Sequence, residues 1–243
     1  MLYFASRRKA DQIVIPVAPR SNRSSETLSR LRAEILTGQI APGEKLNLEQ
    51  LKIRLEVSLS PLREALARLV SEGLVVQPDQ RGFQVAPVSR QNLDEVTLLR
   101  QTLEAMALRE AIRLGDDAWE AEIVAALHRL SKLSPRNGDG TVNERWEQWH
   151  RQFHIAMLSG CRSSVTLQFC ETLLDLSDRY RRLFPPPAPL PRQVHREHQA
   201  IAEAALARDT DRACQMLKDH IGYTRELIES GLPGDMPVEE ATR

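Results

Sequence analysis

The feature that most constrains this chain is a change of hydrophobic period at Gly73. Before it, apolar residues recur at helical spacing three times; after it they run at the spacing of strands. Leu28, Leu31, Ile35 and Leu36 share a face behind a Ser25 cap and stop at Gly38, which predicts a helix over 25–37. Ile40-Ala41-Pro42-Gly43 reads as a turn, and Leu48, Leu51, Ile53 and Leu55 predict a short second helix ending near Glu56. Ser58 or Ser60 can cap a third helix, with Pro61 in its first turn and Glu72 at its end. Beyond Gly73, Leu74–Pro78 and Phe83–Pro87 flank the polar turn 79–82 as a β-hairpin. Three helices followed by a hairpin make a winged helix-turn-helix over 25–88.

From Ser89 onward the pattern is helical almost throughout. Helices are predicted over 91–114, 118–133, 143–159, 164–183, 192–208 and 210–230, separated by Gly115-Asp116-Asp117, the loop at 135–141, Gly160 and an Asp209 cap. The run from Pro185 to Pro191 forms a stiff extended connection. The expected fold is therefore mainly α, an N-terminal winged helix-turn-helix followed by an all-α bundle of six helices over 89–231. Residues 1–24 are expected to be a flexible basic arm and 232–243 a disordered tail.

Of the 243 residues 42% are hydrophobic, which supplies cores for two domains. The net charge is zero, but residues 1–88 hold 13 Lys/Arg against 9 Asp/Glu, leaving 20 against 24 for the remainder. A basic module on an acidic body suits a polyanionic partner. Cys161, Cys170 and Cys214 are odd in number and lack CxxC spacing, which excludes a disulfide framework and a zinc ribbon and points to a reducing compartment. No stretch approaches 18 apolar residues, and the short run Ile13–Val17 is interrupted by Pro16. Neither a membrane span nor a signal peptide is expected, and the chain reads as cytoplasmic.

In the third helix, Leu62, Ala65, Leu66, Leu69 and Val70 share one face and Ser60, Arg63, Glu64, Ala67 and Ser71 the other. The second face is what a DNA major groove would meet. Ser58 and Ser60 beside the helix N-terminus can bond phosphates, and Arg63, one turn in, can donate bidentately to guanine. Arg81 at the hairpin tip can reach phosphate or the minor groove, with Gly82 permitting the turn.

The segment Val57-Ser58-x-Ser60-Pro61-Leu62-Arg63-Glu64-Ala65-Leu66-x-Arg68-Leu69, with Leu46-x4-Leu51 before it and Glu72-Gly73-Leu74-Val75 and Arg81-Gly82 after it, resembles the GntR family of bacterial transcription regulators. The resemblance covers residues 25–88 and implies a dimer on a palindromic double-stranded DNA operator. Two positions depart from it. Leu59 stands where the family carries an Arg that contacts base or phosphate, and Glu56 stands where Gly makes the turn. Recognition is then expected to lean on Arg63, Arg68 and the basic arm.

All six histidines lie in the second half. His150 and His154, at i and i+4, share a face with Trp146, Phe153 and Met157; His198 shares one with Val194, Ile201, Ala202 and Ala205, and His220 one with Met216, Leu217 and Leu227. Three helices thus aim imidazole inward. Spacing alone leaves two readings open, packed core histidines or a divalent metal that takes neutral imidazoles in place of the cost of desolvating each ring.

The stretch Phe153-His154, then His198-x-x-Ile201, then Asp209 to Ala213 and Met216-x3-His220 is similar to the FCD effector domain of FadR-type GntR regulators. There, an Asp four residues before the first His joins three His around a divalent metal. The resemblance implies His154, His198 and His220 as ligands, with His150 in place of the Asp. An all-nitrogen set favours zinc, with nickel the alternative, and keeps the ion's full +2 charge for a small carboxylate effector. Arg100 resembles a family cavity residue; Arg179 and Arg182 are candidate effector contacts and His195 a candidate donor beside His198. Two competing readings follow from the same residues. One is a constitutive, metal-free DNA-binding and dimerisation protein. The other is a metal-dependent hydrolase, which lacks an HExxH or Asp-rich motif and whose nearest acids on the same helix, Glu144 and Glu147, do not clearly face inward.

Overall fold

The computed structural model describes residues 21–78, 82–185 and 193–233. The N-terminal unit runs α1 (Ser21–Leu36), β1 (Lys45–Leu46), α2 (Leu48–Leu55), α3 (Leu59–Ser71), β2 (Val75–Val76) and β3 (Phe83–Val85). Asn47 caps α2 by accepting from the Glu49 and Gln50 amides, and the helix ends at Glu56, which adopts the left-handed conformation (φ 54°, ψ 41°). A β-carbon there costs on the order of 1 kcal/mol, which is why glycine is the usual choice. Leu31, Ile35, Leu62, Leu66, Leu69 and Leu74 close the core of this unit with no measurable exposure.

Two boundaries differ from the sequence reading. The first helix starts at Ser21 and Ser24 is buried, so only residues 1–20 of the expected basic arm fall outside the described residues. The hairpin is the larger part of a three-stranded antiparallel sheet of order β1-β3-β2, with Lys45 opposite Gln84 and Val75 opposite Val85. Two residues are too few to show a period, so β1 left no mark in the sequence.

The second unit is helical: α4 (Arg90–Leu114), α5 (Asp117–Ser131), α6 (Glu144–Leu158), α7 (Ser164–Leu183), α8 (Gln193–Leu206) and α9 (Thr210–Gly231). Ser89, Asp116, Asn143, Ser163 and Asp209 each cap a helix with a side-chain oxygen. Ile123, Phe153, Ala205 and Ala213 lie at the centre of its core. At the C-terminal end Leu232, expected in the disordered tail, is buried with Ile228, Leu93, Val88 and Tyr180, because those residues leave an apolar slot that it fills. Residues 234–243 and the proline run 186–191 lie outside the described residues. No described helix is long and apolar enough to cross a membrane.

Helix α7 joins the two units. Its Leu176 packs into the N-terminal core, and Arg179 donates through Nη2 to the Ala86 carbonyl at 2.5 Å. The Tyr180 hydroxyl accepts from the Ser89 amide at 3.1 Å. Leu183 meets Gly38 so closely that a β-carbon on Gly38 would come within 2.7 Å of it.

Candidate functional site

The outer face of α3 is open to solvent. Ser58 is the N-cap residue in extended conformation, and its side chain makes no capping bond. Ser58, Ser60, Arg63 and Arg68 are all exposed while Leu62, Ala65, Leu66 and Leu69 are buried beneath them. The division predicted for this helix is the one found. Arg63 makes no ion pair among the described residues, whereas Arg68 bonds Glu64 one turn back at 3.2 Å. Gly82 is exposed with φ +98° and nothing near it, but Arg81 lies outside the described residues.

The four histidines converge. His150 and His154 come from α6, His198 from α8 and His220 from α9; all are at most 4% exposed, and one nitrogen of each lies within 4.8 Å of the others. His198 Nε2 and His220 Nε2 are 3.2 Å apart, close to the roughly 3.3 Å between two nitrogens bound at 2.0–2.1 Å to one tetrahedral ion. Two carboxylates orient the rings from behind. Glu104 lies 3.3 Å from His154 Nδ1, and Glu197 accepts from His220 Nδ1 at 2.8 Å, so in both rings Nε2 is left to face the centre. His154 Nε2 and His150 Nδ1 are buried without a partner, and His150 stacks on Trp146 with centroids 4.6 Å apart.

The protonation states suit metal binding. Burial drives the imidazoles of His150 and His198 well below their usual value, and neighbouring cationic groups add to the effect. Burial likewise takes His154 down to about 4, against the opposing pull of Glu104. Burial alone would raise Glu104; Arg100 and the hydrogen bond with His154 outweigh it and hold the carboxyl at about 2. His150, His154 and His198 are therefore held neutral, with an ionised Glu104 behind His154, and the orphaned nitrogens of His150 and His154 are ones a divalent cation would satisfy. These residues fit such an ion.

Beside the centre is a cavity with about 40 Å³ for the centres of water-sized groups, lined by Trp146, Glu147, His150, Arg181, His220 and Thr224 among others. The arginines selected from sequence do not line it. Arg100 is buried against Glu104 and Ser177, Arg179 is committed to Ala86, and Arg182 pairs with the exposed Glu144. His195 is exposed, and the histidine centre takes its carboxylate partner on α8 from Glu197 instead. Arg136, from the loop between α5 and α6, lines the cavity, and among the arginines of α7 Arg181 is the one that does. It also corrects the reading of Glu147, which is 4% exposed and faces inward to pair with it. Helix α7 packs against the bundle on one side and the DNA-binding unit on another, so both Arg179 and Arg181 are buried and an inward position alone does not choose between them. The i, i+3 pair Asp178–Arg181 was the available signal.

A winged helix-turn-helix with an open outer face, joined to a helical bundle with a cavity beside the converged histidines, is the architecture of a DNA-binding regulator with a second, helical domain. The family comparisons agree with that class. Residues 23–85 match the bacterial regulatory proteins, gntR family, and residues 95–223 match the FCD domain. The chain is 41% identical over 221 residues to the HTH-type transcriptional regulator BphR of Paraburkholderia xenovorans (strain LB400), covering 90% of each. It is 36% identical over 209 residues to the HTH-type transcriptional repressor GlaR of Escherichia coli (strain K12), covering 84% of this chain and 95% of that one. Among solved structures, E. coli McbR/YncC shares the fold with a TM-score of 0.71 at 24% identity, over 85% of this chain and 97% of that one. The chain belongs to the GntR family of bacterial transcription regulators, with an FCD domain. Membership sets aside the hydrolase reading.

Proposed function

We propose that this regulator is a cytoplasmic repressor which binds a palindromic operator as a homodimer and releases it in response to a small organic acid sensed beside a metal centre. The observation that carries the sensing half is the convergence of four buried imidazoles with unpartnered nitrogens next to a cavity. His150, His154, His198 and His220 hold the ion; four nitrogen donors favour zinc, with nickel second. When bound, the ion supplies a positive centre that no ligand carboxylate of the chain neutralises, and this draws an anionic effector.

On the reading side, Ser58 and Ser60 meet phosphates at the N-terminus of α3 while Arg63 addresses a guanine edge. Two such helices related by a two-fold axis read half-sites about one helical turn apart. Arg68 reaches DNA by exchanging Glu64 for phosphate, and Arg81 and Gly82 bring the wing to the backbone. Coupling between the halves runs along α7, whose Arg181 lines the cavity while its Leu176 and Arg179 hold the DNA-binding unit and its Tyr180 holds Ser89 at the start of α4. A shift of that helix re-aims the winged domain.

The test is a thermal-shift screen of small organic acids with and without chelator, followed by mobility shifts of upstream DNA. The expected result is an acid whose stabilisation needs metal and whose addition releases a sequence-specific complex. Protein free of stoichiometric metal when purified without a nickel column, or an operator complex indifferent to every acid in the screen, overturns the sensing half. Absence of a specific complex overturns the reading as a whole.

A further inference from the structure

The guanidinium of Arg181 occupies an unusual position: 7% exposed, on the wall of the cavity, and satisfied along one edge only. Its Nε and Nη2 bond Glu147, at 3.1 and 2.5 Å, and Nη2 also bonds Asp178 at 2.6 Å. Nη1 is buried with no partner among the described residues. A planar guanidinium held rigid along one edge by two carboxylates presents the N–H bonds of its other nitrogen in a fixed direction, so little side-chain entropy remains to be lost when an acceptor arrives. Leaving a charged donor unpaired in a buried position is costly, and an oxyanion from the cavity relieves that cost.

The histidine centre makes a second acceptor site less available. One nitrogen from each of the four histidines lies within 4.8 Å of the others, and with all four on one ion the coordination is the closed arrangement of a structural site. An incoming carboxylate then finds an unpaired buried donor on Arg181, on a cavity wall that also carries Arg136, with Trp146 and Val194 as apolar walls for the remainder of the molecule. Its position on α7 places that contact on the helix which also holds Ala86 and Ser89.

Resting on the acid-sensing reading, we propose that Arg181 is the anchor for the effector's acid group, accepted through Nη1, and that the histidine centre shapes the cavity instead of ligating the acid. The ligand class is a small organic acid with its carboxylate ionised and little bulk beyond it.

The experiment uses full-length, metal-loaded protein and acetate, pyruvate and succinate as probes, each against its neutral amide, read by calorimetric titration and thermal shift with metal content measured in parallel. Arg181→Lys keeps a positive charge for Glu147 and Asp178 but removes the second donating edge. The double variant Glu147→Gln/Arg181→Gln removes the guanidinium together with one of its two carboxylates and leaves Asp178 the longer contact to Arg151 at 3.8 Å, so only one buried charge loses its short partner. Binding of an acid but not its amide by the wild type, weakened at least ~10-fold in Arg181→Lys and lost in the double variant with metal content unchanged, supports the anchor. A merely structural arginine would shift the unliganded melting temperature without changing the preference of acid over amide. Wild-type affinity in both variants overturns the anchor and leaves the acid-sensing reading standing. No response of the wild type to any probe, with metal loaded, overturns the two together.

Discussion

The two halves of this regulator place their charge in opposite ways. Among the described residues of the DNA-binding unit, the buried polar side chains before Ser89 are Ser24 and Thr27, and its ionised groups lie at the surface. The helical unit buries Arg100, Glu104, Glu147, Asp178, Arg179, Arg181 and four histidines. A surface that reads DNA works through side chains that water can also reach, where phosphate exchanges for counterions. A sensory cavity works through groups withdrawn from water, where each unpaired donor or lone pair is costly enough to select a ligand. The contrast teaches where variants should act: surface substitutions in the first half change affinity and spare stability, and interior ones in the second half change both.

The largest effect is expected at the centre. His154→Ala/His198→Ala removes two of the four proposed ligands, and elemental analysis should find metal falling from about one per chain to background, while the sequence-specific DNA complex persists. Metal retained by this variant would show that the two halves were wrongly contrasted. Next comes Arg63→Ala on the open face, which should cost about 1–3 kcal/mol of operator binding, read by mobility shift, with the melting temperature unmoved. Loss of stability there would mean that α3 is not the free surface described.

A smaller effect is expected at the junction. Burial raises the Asp175 carboxyl to about 6 despite the ion pair with Arg151 at 2.9 Å, with Asp178 adding to the rise and the Arg32–Glu72 pair of the DNA-binding unit nearby. Its folded value lies above the unfolded one near 4, so the folded state binds the proton more tightly. The favourable contribution is complete below about pH 4 and is lost as pH rises through about 6. Stability of the wild type relative to Asp175→Asn should fall across that window and stay flat above it, by on the order of 1 kcal/mol in denaturant titrations, because solvent at the 18% exposed side chain reduces the roughly 3 kcal/mol that a shift of this size represents at most. A difference that rises with pH would show the ion pair outweighing burial. The smallest effect belongs to Glu56→Gly, which relieves the left-handed residue after α2 and should raise stability by no more than about 1 kcal/mol. A destabilised variant would mean that the glutamate side chain contributes more than its backbone costs.

How much of this was legible beforehand follows the same division. The recognition helix could be read because it is amphipathic with a clean boundary: every third or fourth residue from Leu62 to Leu69 is buried and the rest are wet. The histidine set could be read because each ring shares a face with apolar neighbours on a helix of clear phase. Arg181 was harder to choose, since α7 is covered by both units and Arg179 is buried as well, and the inward turn of Glu147 could not be read, since its partner lies 34 positions away.

The sequence by itself determined the winged helix, the helical bundle and the inward aim of four histidines, because caps, glycines and apolar period act over a few residues and need no knowledge of the rest of the chain. Only the tertiary structure decided which carboxylates back those histidines, which arginine faces the cavity and that one helix holds both the cavity wall and the DNA-binding unit. Those are pairings between residues distant in sequence, and an ion pair between distant helices leaves no local trace because either partner alone reads as an ordinary surface charge.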